Sequence, residues 1–264
     1  MNCSILYSSQ NPGIITNGLV AYYQFENPNC WLGTGVRTVR DLSGFSNFTG
    51  SFQSAAAISG STVTSGPYYI PPSLICPGAT TRGLLCQMSS STQGKYIYNP
   101  PDGYTHAAWA YFTGTVGQTG CIMVNGSSAQ RVGQMSLYSG SGGHTGMEYY
   151  DNSVGEYFSA NLTGSTWPGT PINGWHYWAI TVTPTNTGAS SSLSFYRDGT
   201  LINTLAGQAP LQKFVVANTN LLFGYDYYST YFRGYINCAT IYKRPLSAIE
   251  LTYNYTALKW RFGI

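Results

Sequence analysis

Residues 192–206 read SLSFYRDGTLINTLA, two short runs joined at Asp198-Gly199. Asp-Gly supplies the two positive backbone dihedrals that a two-residue hairpin turn needs, and Phe195, Arg197 and Leu201 alternate with polar neighbours as in a half-buried strand pair. The same short period recurs along the chain. GLVAYYQF (18–25), GKYIYN (94–99), THAAWAYFTG (105–114), RVGQMSLYS (131–139), GMEYYDN (146–152), EYFSANL (156–162), WHYWAITVTP (175–184), TNLLFGYD (219–226) and FRGYINCATIYK (232–243) all read as strands separated by Gly, Pro, Ser and Asn turns. Many short strands at regular spacing predict an all-β protein, a two-sheet antiparallel sandwich. One helix is expected, LSAIELTYNYTAL (246–258), with Ser247 as N-cap and Glu250 three residues on completing a capping box. The stretch 51–93 is the least regular and reads as long loops between weak strands, because it holds too few apolar residues for a second core.

Composition narrows the function classes. Of 264 residues, 8% are charged, while 43% are hydrophobic and 15% aromatic, which describes a folded chain with a polar but weakly ionic surface. Twelve basic and nine acidic residues are scattered, so no basic face exists to neutralise phosphates, and nucleic acid is not an expected partner. No run approaches the roughly 20 apolar residues of a membrane span, and the first residues lack the pattern of a secretory signal peptide. The six cysteines form no short-spaced metal motif. Cys76 and Cys86 flank one loop and are the expected pair if a disulfide forms, whereas Cys121 and Cys238 read as small buried thiols. Asn-x-Ser/Thr triplets at Asn2, Asn47, Asn125, Asn161 and Asn254 arise readily by chance in a chain this rich in Asn, Ser and Thr.

Three stretches resemble the laminin G-like jelly rolls of the concanavalin A-like superfamily. They are residues 11–50, with GLVAYYQF and the Asp41-Leu42-Ser43-Gly44 turn; residues 174–202, with the Trp175-His176 pair and the Asp-Gly hairpin; and residues 232–264, with the turn Tyr242-Lys-Arg244-Pro-Leu246-Ser247 and the closing helix. The resemblance implies one jelly-roll domain, residues 18–264, behind an N-terminal arm, residues 1–17. The opening and closing segments look most like the variant found in structural proteins of phages and large viruses. That implies a virion surface protein assembled inside the host cell, a decoration or fibre component whose partners are other virion proteins, further copies of itself or a host-surface glycan. Fold alone does not fix such a function.

Enzymes on this fold use two carboxylates on one strand face. Glu148 and Asp151 differ by an odd number, so they point to opposite faces of a regular strand; Glu148 and Glu156 lie roughly 26 Å apart along one. A non-enzymatic role is expected, with a free lectin module as the first alternative and a jelly-roll glycoside hydrolase as the second. The histidines have neither metal nor triad spacing. Calcium is the expected metal if one is bound, since the superfamily often holds it on loops; Glu26 and Asp41 are its candidate ligands, although Asn237 stands where relatives often carry an Asp. A sugar needs exposed aromatic faces beside polar groups. Two clusters offer them: Tyr149, Tyr150, Asp151, Asn152 and Tyr157, and Tyr225, Asp226, Tyr227, Tyr228 and Tyr231. The same tyrosines suit a protein interface.

Overall fold

The structure, a computed structural model, describes residues 13–27, 29–30, 38–43, 48–52, 57–58, 73–77, 84–88, 103–113, 119–127, 130–139, 145–151, 156–160, 174–184, 190–208, 220–225 and 231–264. The strands are β1 Leu19–Gln24, β2 Thr38–Arg40, β3 Phe48–Phe52, β4 Ala57–Ile58, β5 Leu74–Pro77, β6 Leu84–Met88, β7 Tyr104–Phe112, β8 Thr119–Ser127, β9 Gln130–Ser139, β10 Thr145–Asp151, β11 Glu156–Ala160, β12 Trp175–Pro184, β13 Ser191–Arg197, β14 Thr200–Gln208, β15 Asn220–Phe223 and β16 Arg233–Tyr242. They build two antiparallel sheets. The first runs β14-β13-β12-β7-β16-β5-β4, with β1 continuing the edge of β16 beyond β5; the second runs β11-β10-β9-β8-β15-β6-β3-β2. The expected all-β sandwich is therefore present. Of the predicted strands, only 94–99 lies outside the described residues. Within 51–93 the weak strands are β4, β5, β6 and the end of β3.

The sheets share one core, to which the first contributes Ala108, Ala110, Phe112, Trp178, Ile180, Val182, Phe195 and Ile236, and the second Ile122, Met123, Met135, Leu137, Met147 and Phe223. The first sheet is buried on its other face as well. There Trp109, Trp175, Tyr177, Ala179, Tyr196, Cys238 and Tyr242 pack with Leu246, Leu251, Leu258 and Phe262. Two-sided burial explains why β1, LVAYYQ, shows no alternation and is buried throughout. In β16 the ladder with β7 slips between Ile236 and Ala239. That bulge keeps Ile236, Ala239 and Ile241 on the shared core while Cys238 and Tyr242 face the roof.

The roof is α1, Ala248–Leu258, followed by a short 3₁₀ turn, Lys259–Phe262. Ser247 and Glu250 form the predicted capping box. Arg244 grips Glu250 through two hydrogen bonds, Nη2–Oε1 at 2.6 Å and Nη1–Oε2 at 3.0 Å, and donates to the Asn17 carbonyl at 2.9 Å. Gly18, at φ +80°, passes so close that a Cβ there would lie 2.9 Å from Arg244 Cγ. Beneath the helix, the buried Asn254 carboxamide accepts from the Ile15 backbone N–H at 2.8 Å and donates to the hydroxyl of Tyr242 at 3.0 Å. Asn254 is thus a structural side chain, closed to glycosylation in the folded protein.

Asp198 and Gly199 take φ of 53° and 78°, as the turn requires. Leu201, expected to alternate inward, is 49% exposed; the ladder shifts between Phe195 and Tyr196, and Ile202 packs on the core instead. Cys76 is a free buried thiol on the first sheet, paired in register with Gly234, while Cys86 sits on the second, opposite Gly50 and Leu221. With Cys76 free, the expected Cys76–Cys86 disulfide is not formed. Cys121 and Cys238 are buried thiols, as read. Burial pushes the Cys30 thiol up to about 12 and raises those of Cys76 and Cys238 too, so these thiols stay protonated at neutral pH.

The Arg244 guanidinium and the capping bonds hold the Glu250 carboxyl down to about 2. A depressed carboxylate stabilises the fold above its unfolded pKa of about 4.3 and loses that contribution as pH falls through its folded value. Denaturant titrations between pH 5 and pH 2 are expected to show the wild type losing about 1 kcal/mol more than Glu250→Gln, the small size reflecting a partly exposed pair.

Candidate functional site

Strand register decides where the two tyrosine clusters stand. Tyr149 lies opposite Met135 and Phe158, on the row that includes core residues; Tyr150 lies opposite Gln134 and Tyr157, and Glu148 opposite Ser136 and Ser159. Ser136 in turn faces Cys121 across β8, and Cys121 belongs with Val124, Leu222 and Tyr225 to a small cluster separate from the shared core. Tyr150, Tyr157 and the Tyr225 region therefore occupy outer-face rows of one sheet, running from β11 through β10, β9 and β8 to β15. From β15 to β10 is three strand spacings, about 14 Å. Asn152, Asp226, Tyr227 and Tyr228 lie outside the described residues.

Tyr225 is 4% exposed and bridges to the half-buried Tyr231 across the loop that carries Tyr227 and Tyr228. Its ring is packing, which corrects the reading of Tyr225 as a surface contact and makes it the footing of that loop. The row between the clusters is covered: Gln134 and Ser136 are buried and hydrogen-bonded to each other at 2.8 Å.

The carboxylates whose side chains are described are each engaged. Asp198 accepts from the Tyr177 N–H at 2.9 Å and pairs with His176 Nδ1 at 2.7 Å, so the half-buried His176 tethers the hairpin to the strand beside it. Asp41 Oδ1 accepts from the N–H groups of Tyr22 and Ser43, each at 2.8 Å, and Oδ2 from the Ser43 hydroxyl at 2.8 Å. Glu26 is ion-paired with Arg261. The two candidate calcium ligands are therefore held by separate partners, and among the described residues no group of three or more His, Cys, Asp and Glu stands ready for a metal. Asn237 is buried at the β16 bulge, donating to Ser73 Oγ at 3.3 Å. Sequence spacing missed one pairing: Asp151 stands directly opposite Glu156 at the turn end of the β10–β11 hairpin.

A second aromatic group lies under the roof of the first sheet. Phe262 stacks on Trp109 with ring centroids 4.2 Å apart at 20° and lies 4.8 Å from Trp175 at 39°. Tyr255 stacks on the same Trp109 at 5.5 Å. Half-buried Tyr111 continues the group edge to face, 5.9 Å from Trp175, and half-buried Tyr235 packs edge to face on Tyr111 at 6.0 Å. The buried indole N–H groups of Trp109 and Trp175 have no acceptor among the described residues. Each such orphan costs about 1–3 kcal/mol. Arg261, 7% exposed, holds the 3₁₀ turn over these rings through Glu26 and, with the Gln24 amide oxygen turned toward it, through Gln24 as well.

Residues 89–252, more than half of the chain, match the family model described as concanavalin A-like lectin/glucanases superfamily. No curated protein sequence matches. Among solved structures, domain 4 of AbnA, a GH43 extracellular arabinanase from Geobacillus stearothermophilus in complex with arabinotriose, is similar at TM-score 0.54 and 16% identity, over 89% of this chain and 96% of that one. The receptor binding domain of botulinum neurotoxin type G gives TM-score 0.56 at 13% identity, and the binding domain of Paraclostridial Mosquitocidal Protein 1 gives 0.54 at 15%. This chain is covered to 91% in both comparisons but spans only about half of those domains, 51% and 52%. At such identities the likeness shows the fold.

The packing role of Tyr225 makes a stability prediction. Tyr225→Ala should cost about 3 kcal/mol or more in urea unfolding, and Tyr231→Ala, half-buried, less than half of that. Equal and small losses would place Tyr225 back on the surface.

Proposed function

The chain belongs to the concanavalin A-like lectin/glucanases superfamily, and we propose that it is a non-enzymatic binding module that holds carbohydrate against tyrosines on the outer face of its second sheet. The observation that carries this reading is the register that sets Tyr150 and Tyr157 on the same outer-face rows as the Tyr225–Tyr231 hairpin, while the outer face of the other sheet is roofed by α1. Tyrosine suits the task because a pyranose presents C–H faces to a ring while its hydroxyls find the phenol and neighbouring polar groups. An 8% charged composition points to a neutral ligand recognised by stacking and uncharged hydrogen bonds. The arabinotriose complex of the AbnA domain and the receptor-binding roles of the toxin domains are in keeping with a module that binds. The engagement of Glu26, Asp41, Asp198 and Glu250 in structural bonds supports a non-catalytic role. Among the described strands, the register pair Asp151–Glu156 leaves room for a hydrolase reading.

The setting we propose is a virion surface, on the resemblance of the opening and closing segments. A second reading, contact with other virion subunits or further copies of the chain, is favoured by exposed Ile249, Tyr253 and Trp260 along the C-terminal helix and turn, at 82%, 52% and 69% exposure. No helix among the described residues is long and apolar enough to cross a membrane.

The test is binding of the purified chain to an oligosaccharide array that includes arabinotriose, with Tyr150→Ala and Tyr227→Ala beside the wild type. Loss of one stacking ring should weaken binding about tenfold in whichever variant carries the working cluster. A folded protein that binds no sugar would transfer the weight to subunit contact. Repeating the assay with a calcium chelator tests the metal expectation: a calcium ion at Glu26 would have to displace Arg261, so chelator-insensitive binding is expected unless Asp41 and Glu26 exchange their partners. Sugar turnover that disappears in Asp151→Asn would overturn the non-enzymatic reading.

A further inference from the structure

We propose that the outer ridge of α1 is a self-docking surface, through which two copies of this chain pair about a two-fold axis with their helices antiparallel. The inference rests on the second reading above, contact between copies, and gives that contact a place and a geometry. The ridge consists of Ile249, Thr252, Tyr253, Thr256 and Trp260, all exposed, with Ile249, Tyr253 and Trp260 at 82%, 52% and 69%. Steps of three and four residues set them along one side of the helix and the turn that continues it, away from the buried Leu251, Asn254 and Leu258. No ridge residue is charged. The charges beside it are committed elsewhere: Glu250 to Arg244, Lys259 over the Tyr255 ring at 5.6 Å, and Arg261 to Glu26. Enrichment in aromatic side chains and depletion of charge are what separate the core of a protein interface from ordinary surface.

The ridge is complementary to itself. An axis crossing the helix midway between Asn254 and Tyr255 sets Ile249 against Trp260 of the second copy and Tyr253 against Thr256 of the second copy, and the symmetry repeats both contacts, so each ring meets a smaller side chain. The same axis brings Glu250 opposite Lys259 of the second copy and opposes the two helix dipoles. A parallel pair would instead align the dipoles and bring like charges together. Taking about 150–250 Å² for a whole large side chain, the ridge exposes roughly 500 Å² in each copy, so pairing buries about 1,000 Å², the lower end for a specific interface. Part of the ordering cost is already met, because the Trp260 indole is fixed by its N–H bond to the Ala257 carbonyl at 2.9 Å.

The experiment is sedimentation velocity of the full chain from low micromolar to submillimolar concentration, with Ile249→Lys, Trp260→Glu and the double variant Ile249→Lys/Trp260→Glu beside the wild type. All three alter exposed side chains, and circular dichroism with a cooperative melt establishes that each is folded. The wild type should pass from one copy to two with a dissociation constant in the micromolar range, and no further, because a two-fold contact closes at two copies. Each single variant should weaken pairing at least tenfold. The double variant should pair more tightly than either single one, since the antiparallel axis sets its two new charges opposite each other in trans. A double variant no tighter than the singles would overturn the two-fold register. Growth beyond two copies, or pairing that ignores every variant, would overturn this surface while leaving contact between copies standing. A wild type that stays monomeric throughout would overturn the pairing and the contact between copies together, and flotation of that monomer with phosphatidylcholine vesicles, lost in Trp260→Glu, would assign the ridge to a lipid surface instead. The oligosaccharide array reports separately on the tyrosines of the second sheet, which none of these substitutions alters.

Discussion

Burial of the first sheet on both faces is the constraint on which the rest of this structure depends. A sandwich needs only one buried face per sheet, yet here β1, β7, β12 and β16 carry large apolar side chains outward too, with Trp109, Trp175, Tyr177 and Tyr242 among them. Such a face must be covered, and α1 with its 3₁₀ turn is the cover. The polar contacts that hold it are few and well aligned. Arg244 joins the Gly18 turn to the helix start, Asn254 joins Ile15 to Tyr242, and Arg261 joins the last turn to Glu26. Segments far apart in sequence thereby converge on one side of one sheet. Loss of the contacts made by buried Asn254 or Arg261 would leave a buried donor or acceptor unmet, which costs more than the net gain of making it.

How legible this was in the sequence follows from how many faces each strand buries. Strands with one polar side, such as β13, alternate and were read to within a residue or two. The helix was read with its cap because the Ser247–Glu250 box is local chemistry. By contrast, β8 is buried on both faces from Cys121 to Val124, so its period vanishes. The short strands β2 to β6 are stabilised by pairing with distant partners rather than by their own residues. The bulge at Asn237–Cys238 could not be read either, because a bulge is a relation between two strands.

The same distinction sorts the candidate sites. The split of neighbouring tyrosines between two rows follows from strand parity and was legible; which row faces the core needed the pairing of β10 with β9. Spacing along one strand separated Glu148 from Glu156 by a long distance, whereas the hairpin folds Glu156 back onto Asp151. Asp41 read as a turn-forming carboxylate with a possible metal, and its turn role is what the bonds to Tyr22 and Ser43 show. Asp198 read only as a turn residue, yet it also ties His176 and the Tyr177 backbone to the hairpin. Tertiary partners of this kind leave no trace in local pattern.

The buried aromatic side chains of this chain differ in how their polar edges are met. Tyr177 and Tyr242 are buried with their hydroxyls directed to Asn254, so their burial is compensated and the strain is small. Trp109 and Trp175 are buried as deeply without such compensation. The roof is held both by the apolar seam of Leu246, Leu251, Leu258 and Phe262 and by the polar ties of Arg244, Asn254 and Arg261, so the bulky indoles beneath it are closed off from solvent by packing and hydrogen bonding together.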